Sequence, residues 1–428
     1  MRRSAATALF LLCVAAATAN GQGLPRARPQ ELGLDSAKLS AISPLLRAAI
    51  EQGELSGVVT LLARHGRIAV VDSAGFANIE RRSPIGSTTL FRIASMSKPV
   101  TSVAAMILVE EGRLALTDPV ERYLPAFAEM TVAAGTGATA AGGSVPARRP
   151  ITIHDLLTHR SGLTYGFLDE GPVGDAYRAA GVSDGMPPRE EGIGANVERL
   201  ARMPLVAQPG SRFQYGLSTD VLGRVIEVVS GQPLAEFLRK RLFDPLGMRD
   251  TRFYVDDDQL GRLATPYAWN GRRLRAMQTA ERFGNLLLAG EGYRGSRIYF
   301  SGGSGLVSTV GDYARFLQML LNGGELDGIR VLGPKTVQLI SADAMAGTPH
   351  PLGAGAGFGL GFQVITELGL AREPGSVGTL SWSGIYGTMF WADPEEQLIG
   401  IVMLQRFPTA GLTLGDRFRA IAYGAVID

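Results

Sequence analysis

A serine and a lysine three positions apart are the residues of this chain best suited to chemistry. Ser95 and Lys98 stand in the run Phe91-Arg-Ile-Ala-Ser-Met-Ser-Lys-Pro-Val100. Residues three apart on a helix share one face, with Cβ atoms about 5–6 Å apart. A lysine amine can then reach the serine hydroxyl and take its proton. The spacing therefore predicts a serine nucleophile that is activated without histidine.

The sequence around the pair also predicts where its helix begins. Pro99 has no backbone N–H, which suits the first turn, where N–H groups lack internal partners. Ser95 is therefore predicted at or just before the helix N-terminus, where backbone donors and the helix dipole favour a developing oxyanion. Apolar residues then follow at helical spacing, and the helix is predicted to end near Gly112.

The Ser95–Lys98 pair alone is weak evidence for a catalytic serine. A chance Ser-x-x-Lys would appear in about a quarter of chains with so few lysines. The simplest alternative is a helix-capping serine followed by a solvated lysine. Other residues are needed to decide between the two interpretations.

Tyr215 is a second candidate, in the run Arg212-Phe-Gln-Tyr-Gly-Leu-Ser218 just before a predicted helix. A phenol near a lysine cation can be held partly ionised and can act as a base or proton carrier. The alternative is a packing tyrosine with a satisfied hydroxyl.

The run Ser381-Trp-Ser-Gly-Ile-Tyr-Gly387 is a third candidate, at the end of a predicted strand. Its glycines permit close backbone approach to a ligand. A backbone N–H from this edge could supply a second oxyanion donor. The alternative is an ordinary β-turn with a core tryptophan.

Two further motifs are rejected. Gly181-Val-Ser-Asp-Gly185 matches the Gly-x-Ser-x-Gly nucleophile elbow, which needs a strand before it and a helix after it. No β-rich run precedes Ser183, Pro187-Pro188 interrupts a following helix, and the only downstream histidine is His350. Lys335-Thr336 resembles Lys-Thr-Gly, but Val337 occupies the glycine position and the segment is predicted to be helical.

The N-terminal residues are typical of an export signal. Arg2 and Arg3 precede an apolar stretch at 5–17, and Ala17-Thr18-Ala19 is a small-x-small cleavage site. The alternative is a retained anchor, but the stretch is short for a membrane span. The only cysteine lies in this segment, so the mature chain would lack disulfides and thiolate chemistry. We expect an exported bacterial protein, periplasmic or secreted, without a stable membrane anchor.

Composition excludes several classes of protein. Hydrophobic residues make up 46% and charged residues 19%, with a net charge of +2, which describes a globular chain with a large core and no preference for nucleic acid. The four histidines (His65, His154, His159 and His350) show no metal-ligand spacing. We expect no metal and no organic cofactor.

Strand-like segments lie at both ends of the chain and helical segments between them. A hairpin is predicted at 57–64 and 67–72 after a helix at 39–52, and further helices at 154–157, 219–229 (ending at Gly231) and 312–321. Strands are predicted at 359–365, 377–382, 386–392 and 397–404, and a surface loop at 131–149. This order predicts one discontinuous sheet domain, 20–125 and 297–428, with a mostly helical domain, 126–296, inserted into it. A cleft between the two is the natural place for an active site.

Taken in order, these motifs resemble the serine β-lactamase and penicillin-binding-protein superfamily, and within it the class C-related family VIII carboxylesterases. The likeness covers nearly the whole mature chain. It is carried by Phe91-Arg-Ile-Ala-Ser-Met-Ser-Lys, Leu156-Leu-Thr-His-Arg-Ser-Gly-Leu163, Tyr215 with Asp220-Val-Leu-Gly223, Gly305-Leu-Val-Ser-Thr309 and Gly384-Ile-Tyr-Gly-Thr-Met-Phe-Trp391.

The resemblance implies an α/β (α+β) fold, an antiparallel sheet flanked by helices with an inserted helical domain. It implies that Ser95 is the acylated nucleophile and that Lys98 and Tyr215 share the proton transfer, without saying which is the base. It also implies an oxyanion hole made by the backbone N–H groups of Ser95 and Ile385.

The chain departs from the β-lactamase pattern at two places. Leu217 replaces the Asn of Tyr-x-Asn, and Trp382-Ser383-Gly384 stands where Lys-Thr-Gly is expected. The missing lysine removes a cation for the carboxylate of a β-lactam or peptide, and the missing amide removes a donor for an acylamide side chain. Trp-x-Gly is similar to the esterase branch, where a tryptophan wall favours apolar acyl or alkoxy groups.

The sequence therefore predicts a serine carboxylesterase that acts on small or medium esters through an acyl-enzyme, with Trp382, Ser383 and Gly384 binding the substrate. The alternatives are a β-lactamase or D-amino-acid-directed peptidase of the cell envelope, and a non-catalytic binding protein of the same fold. The oligomeric state is left open.

Overall fold

The computed structural model describes residues 23–134, 143–186, 189–290, 296–345, 347–348 and 352–427. The predicted signal peptide at 1–19, the Pro187-Pro188 pair and His350 lie outside these residues. Export and the signal peptide therefore stay predictions.

Nineteen strands and thirteen α-helices are formed by the described residues. The strands are β1 (Gly57–Arg64), β2 (Arg67–Asn78), β3 (Ser83–Pro84), β4 (Phe91–Arg92), β5 (Thr131–Ala133), β6 (Ser144–Pro146), β7 (Tyr267–Trp269), β8 (Leu274–Ala276), β9 (Glu281–Phe283), β10 (Leu286–Leu288), β11 (Val307–Ser308), β12 (Glu325–Leu326), β13 (Ile329–Arg330), β14 (Ala356–Phe358), β15 (Gln363–Ile365), β16 (Leu380–Ser383), β17 (Met389–Asp393), β18 (Leu398–Leu404) and β19 (Arg406–Phe407). The helices are α1 (Ser36–Leu39), α2 (Ile42–Glu51), α3 (Ser97–Glu110), α4 (Ile153–Leu157), α5 (Pro172–Ala179), α6 (Ile193–Leu200), α7 (Ser218–Ser230), α8 (Leu234–Leu238), α9 (Asp244–Leu246), α10 (Val310–Leu321), α11 (Pro334–Ser341), α12 (Leu368–Ala371) and α13 (Leu414–Gly424).

Eight strands form one antiparallel sheet in the order β14-β15-β16-β17-β18-β1-β2-β3. Strands from the two ends of the chain meet at its centre, where Val58 of β1 lies opposite Leu404 of β18. Helices pack on both faces. The antiparallel sheet flanked by helices that the resemblance implied is confirmed.

Alternating side chains of the central strands contribute to two separate cores. Val58 and Leu62 of β1 pack with Leu46 of α2 and Phe418 of α13 on one face. Leu61 belongs to the larger core on the other face, with residues of α3 and α10. Because both faces are covered, every residue of β1 is buried, which explains the continuous apolar run in its sequence.

Most predicted helices are confirmed, with small shifts at their ends. The helix predicted at 39–52 is α2, but it begins at Ile42, because a separate turn of helix, α1, precedes it with Asp35 as its N-cap. Helix α7 ends where Gly231 takes a left-handed backbone conformation, with φ of 73°, as the C-terminal glycine indicated.

The prediction of a loop at 131–149 is wrong near both ends of this segment. Strands β5 and β6 pair antiparallel there, with Val132 opposite Val145, and residues 135–142 between them lie outside the described chain. Val132 is buried, and Ala133 N–H donates to the carbonyl of Leu205. This tertiary contact, rather than local periodicity, makes the first strand.

The late strands are shorter than predicted because glycines turn the chain. Residues 359–365 contain only β15, since Gly361 has φ of 94° and Gly359 N–H bonds to the Phe362 carbonyl in a turn. The strands predicted at 377–382 and 386–392 begin at Leu380 and Met389. Strand β14 was not predicted at all.

Between α3 and β11 lie all the helices from α4 to α9 and six short strands, β5 to β10. The two-domain division at 126 and 296 stays a prediction. The fold places this helical region against α3, because α3 and α7 pack directly on each other.

Gly400 of β18 makes room for the indole of Trp391, its neighbour on β17. A Cβ at residue 400 would lie 2.1 Å from Trp391 Cζ2. We expect Gly400→Ala to displace this fully buried indole and to lower the free energy of unfolding by about 1–3 kcal/mol, measured by urea denaturation. Gly424→Ala is the control, because an added Cβ there meets nothing within 4 Å. Equal midpoints for Gly400→Ala and wild type would contradict this account.

Candidate active site

Ser95 lies in a tight turn between β4 and α3. Residues Ala94–Met96 form one turn of 3-10 helix, and α3 begins at Ser97, so the prediction that Ser95 precedes the helix is confirmed. Ala94 has φ of 43°, a left-handed conformation that is unfavourable for a residue with a Cβ. Ala94 is nevertheless 2% exposed, and its packing holds the turn that presents the half-buried Ser95.

Lys98 lies one helical turn further on, with its ammonium directed back to the serine. Its Nζ donates to Ser95 Oγ at 3.0 Å and to the backbone carbonyl of Gly303 at 2.9 Å. The residue is 1% exposed. The alternative of a solvated lysine is therefore excluded by the structure.

Tyr215 reaches the same oxygen as Lys98. Its hydroxyl donates to Ser95 Oγ at 2.8 Å, and Lys98 Nζ lies 4.7 Å from the centre of its ring. The backbone next to Tyr215 packs closely against Leu163, because a Cβ at Gly216 would lie 2.4 Å from the carbonyl oxygen of Leu163. Two side chains thus converge on the Ser95 hydroxyl, and one of them comes from 120 positions further along the sequence.

The turn between β16 and β17 lies against the chain just before Ser95. Thr388 Oγ1 donates to the carbonyl of Ile93 at 3.3 Å. A Cβ at Gly384 would lie 2.4 Å from that same carbonyl oxygen, so only glycine permits this approach. Ile385, the next residue, is half-buried beside it.

Trp382 and Tyr215 form one wall of the site. Their ring centres lie 5.7 Å apart, and the ring of Phe358 lies 5.3 Å from that of Trp382. Trp382 is half-buried, whereas Ser383 at the end of β16 is exposed. The tryptophan is thus neither a core residue nor a free surface residue, and it presents an apolar face next to the serine.

The glycine-rich run Ser301-Gly-Gly-Ser-Gly305 supports the site, and sequence reasoning did not assign it a role. Thr101 Oγ1 donates to the Gly302 carbonyl at 2.8 Å, and Leu306 N–H donates to Ser97 Oγ at 3.1 Å. Together with the bond from Lys98 to Gly303, these contacts bind the run to the first turns of α3. Its signal in the sequence is two adjacent glycines between serines.

His159 is a second residue to which no role was assigned. It is 1% exposed, and its ring centre lies 4.9 Å from that of Tyr215 and 5.6 Å from that of Phe213. Burial, together with the nearby charge of Lys98, holds its pKa well below 6.5. A neutral imidazole therefore packs behind the phenol.

Ser183 and Lys335, the two side chains of the rejected motifs, make hydrogen bonds elsewhere in the fold. Ser183 is buried in the segment between α5 and α6, where its hydroxyl accepts from Gly185 N–H at 3.2 Å. Lys335 lies on α11, as predicted for a helical segment, and its ammonium donates to Gln338. No group of three or more metal-binding side chains is assembled by the described residues.

The antiparallel sheet with helices on both faces is the fold of β-lactamase-like and transpeptidase-like proteins. In this chain a serine, a lysine and a tyrosine meet at the start of a helix of that fold. The chain belongs to the β-lactamase family, whose Beta-lactamase model matches residues 42–424. The resemblance seen in the sequence is thereby confirmed.

Three related proteins indicate the branch of the family. The chain is 36% identical to Esterase EstB of Burkholderia gladioli, over 85% of this chain and 90% of that protein. It is 30% identical to a lovastatin esterase of Penicillium rubens, over 86% and 94%. The solved structure of EstCE1, described as a hydrolase with promiscuous acyltransferase activity, superposes with a TM-score of 0.78 at 32% identity, covering 91% of this chain and 99% of that one.

These relationships support a serine hydrolase on the β-lactamase fold, related to esterases. No helix in the described part of the chain has the length and apolarity needed to cross a membrane.

The buried His159 predicts a specific dependence of stability on pH. Its pKa is lower in the folded chain than the usual 6.5, so the unfolded chain binds the proton more tightly and stability is lost as pH falls below about 6.5. His159→Phe removes this loss. We expect its stability relative to wild type to improve by about 2 kcal/mol between pH 7 and pH 5, measured by urea denaturation at both values.

Phe358→Leu is the control for this measurement, because Phe358 packs against His159 but carries no titratable group. Its loss of stability should be the same at both pH values. If the His159→Phe variant and the wild type changed in parallel with pH, the folded protein would bind a proton at His159 as readily as the unfolded chain, which contradicts this account.

Proposed function

We propose that this protein is a carboxylesterase that hydrolyses small or medium esters through an acyl-enzyme on Ser95. The observation that carries the proposal is the convergence of Lys98 Nζ and Tyr215 OH on Ser95 Oγ, at 3.0 and 2.8 Å. The esterase relatives favour esters as the substrate class.

In the first step Ser95 Oγ attacks the ester carbonyl while its proton passes to Lys98 or Tyr215. Both side chains touch the hydroxyl. The one that accepts the proton must itself be deprotonated, as a neutral Lys98 amine or a Tyr215 phenolate. The electron pair of the carbonyl moves onto oxygen to give the tetrahedral intermediate. The same proton then reaches the departing alkoxide, and water repeats the sequence in reverse to release the acid.

The backbone N–H groups of Ser95 and Ile385 would form the oxyanion hole. The contact of Gly384 with the carbonyl of Ile93 supports this assignment, since it brings residue 385 beside the serine turn. One such donor is worth roughly 3–4 kcal/mol of transition-state stabilisation.

The residues around Ser95 favour an apolar substrate. Trp382 and Tyr215 present aromatic faces. Leu217, at the position where β-lactamases carry an amide, is fully buried as the N-cap of α7 and offers no hydrogen bond. With Trp382-Ser383-Gly384 in place of Lys-Thr-Gly, this segment lacks a cation for an anionic substrate.

The nucleophile is tested by turnover of p-nitrophenyl butyrate. We expect Ser95→Ala to lower kcat/KM by at least about a thousand-fold, because no other group can form the acyl-enzyme. Ser183→Ala is the matched control and should retain wild-type turnover. Mass spectrometry after reaction with a fluorophosphonate should locate the modification on Ser95. Loss of activity only in the Ser183 variant would refute the assignment, and an unlabelled, inactive wild type would favour a binding protein.

The substrate class is tested by comparing short p-nitrophenyl esters, nitrocefin and a D-Ala-D-Ala peptide. We expect kcat/KM to be highest for the esters. Trp382→Ala should lower kcat/KM for the butyrate by about 10–100-fold through lost apolar contact, with a smaller effect on the acetate. Trp269→Ala, which removes another half-buried tryptophan, is the control. Faster turnover of nitrocefin or the peptide would instead indicate a β-lactamase or peptidase.

A further inference from the structure

Asp220 is a buried carboxylate close to the active site, and the proposed reaction gives it no role. It lies in the first turn of α7 and is 1% exposed. Its Oδ1 accepts a hydrogen bond from Ser301 Oγ at 2.6 Å. Its Oδ2 makes no hydrogen bond of good geometry among the described residues, although the backbone N–H of Gly303 lies near enough to lower the pKa of Asp220. A buried carboxylate with one weakly satisfied oxygen is costly, so a compensating charge is expected nearby.

Gly303 lies between Asp220 and the ammonium of Lys98. A Cβ at residue 303 would lie 2.5 Å from Asp220 Oδ2, and the Gly303 carbonyl accepts from Lys98 Nζ at 2.9 Å. One glycine residue therefore touches the carboxylate on one side and the ammonium on the other. The absence of a side chain is what lets the two charges approach.

Among the residues that the structure describes, Lys98 has no ion-pair partner in direct contact. Both of its hydrogen-bond acceptors, Ser95 Oγ and the Gly303 carbonyl, are uncharged. Asp220 is the carboxylate that acts on it, since the charge of Lys98 lowers the pKa of Asp220. The ammonium at the centre of the site is thus balanced across Gly303 rather than by an ion pair.

Within the described parts of the chain, four titratable groups on the surrounding elements interact electrostatically with Asp220. They are Lys98 on α3, Tyr165 after α4, Asp184 between α5 and α6, and Tyr299 before the glycine-rich run. Lys98 is the cation of this set. Burial raises the pKa of Asp220 to about 6, against the opposing effects of the Ser301 hydroxyl and Lys98. Burial likewise raises the pKa of Asp184 to about 6.

We propose that Asp220 is a positioning residue for Lys98: its carboxylate stabilises the ammonium at Nζ while the Ser95 proton is in transit, and it holds the Gly303 carbonyl against that ammonium. The inference rests on the proposed function. Asp220 itself exchanges no proton with substrate. It acts through Lys98, in the way that a carboxylate orients and stabilises the base of other serine hydrolases.

The test is the pH dependence of two rates between pH 5 and 9, kcat/KM for p-nitrophenyl butyrate and fluorophosphonate labelling of Ser95. In wild type both rates should rise about 10-fold or more through pH 6, as Asp220 ionises. Asp220→Asn keeps the shape and the acceptor for Ser301 but removes the charge. We expect it to lose the rise near pH 6 and to lower kcat about 10–100-fold, with KM within about two-fold.

Asp184→Asn is the matched control, because Asp184 is another buried aspartate with a pKa raised to about 6, and its carboxylate accepts from Gly166 N–H instead. It should retain the rise near pH 6, moved only to slightly lower pH because a negative charge near Asp220 is removed. If Asp220→Asn keeps the rise near pH 6, or if Asp184→Asn abolishes it, the inference is overturned.

Ser301→Ala covers the case in which Asp220→Asn does not fold. It keeps the carboxylate but removes its hydrogen-bond donor, so the pKa of Asp220 should increase and the rise should move up by about 0.5–1 pH unit. An unmoved rise in this variant also overturns the inference. Failure of the proposed function looks different, since Ser95 would then not be labelled at any pH in any variant.

Discussion

The structure of this site depends on keeping one lysine ammonium inside the protein beside a serine hydroxyl. Removing a charge from water is costly unless hydrogen bonds and opposite charge replace the lost hydration. Around Lys98 these are supplied by Ser95 Oγ and the Gly303 carbonyl, by the face of the Tyr215 ring, and by the charge of Asp220 beyond the glycine. Each of these partners comes from a different part of the chain, so the ammonium joins β4, α3, α7 and the run at 301–305 into one unit.

The same requirement explains the glycines that surround the serine. Gly303 permits a carboxylate and an ammonium to share one residue as neighbour, and Gly384 permits a strand turn to touch the carbonyl of Ile93. A side chain at either position would push apart groups that have to remain within hydrogen-bonding distance. Apolar and aromatic surroundings, with Trp382 and Tyr215 in contact, keep the dielectric low and so strengthen every electrostatic contact at Ser95. These surroundings support the proposal that the substrates are neutral, apolar esters rather than anions.

Local sequence predicted the elements that carry the site and missed those made by tertiary contact. Pro99 correctly marked the start of α3, and the β-rich runs of sequence correctly marked the central strands. Strand β5 was missed because it is formed by pairing with distant residues such as Leu205, which has no local signature. The strand predicted at 359–365 was too long because its glycine adopts a turn, and a glycine in an apolar run does not reveal its φ angle.

The sequence by itself determined the chemistry that is available: a serine and a lysine at helical spacing, a tyrosine before a helix, and a tryptophan and two glycines at a strand end. Those are properties of residue type and short spacing, which propensity and periodicity can express. Only the tertiary structure decided that Lys98 is buried and that Tyr215 hydrogen-bonds to the same Ser95 oxygen. It also decided that Asp220, His159 and the run at 301–305 surround Ser95 and Lys98. Burial and contact between residues more than a hundred positions apart arise from packing in three dimensions, and packing leaves no pattern in a single stretch of sequence.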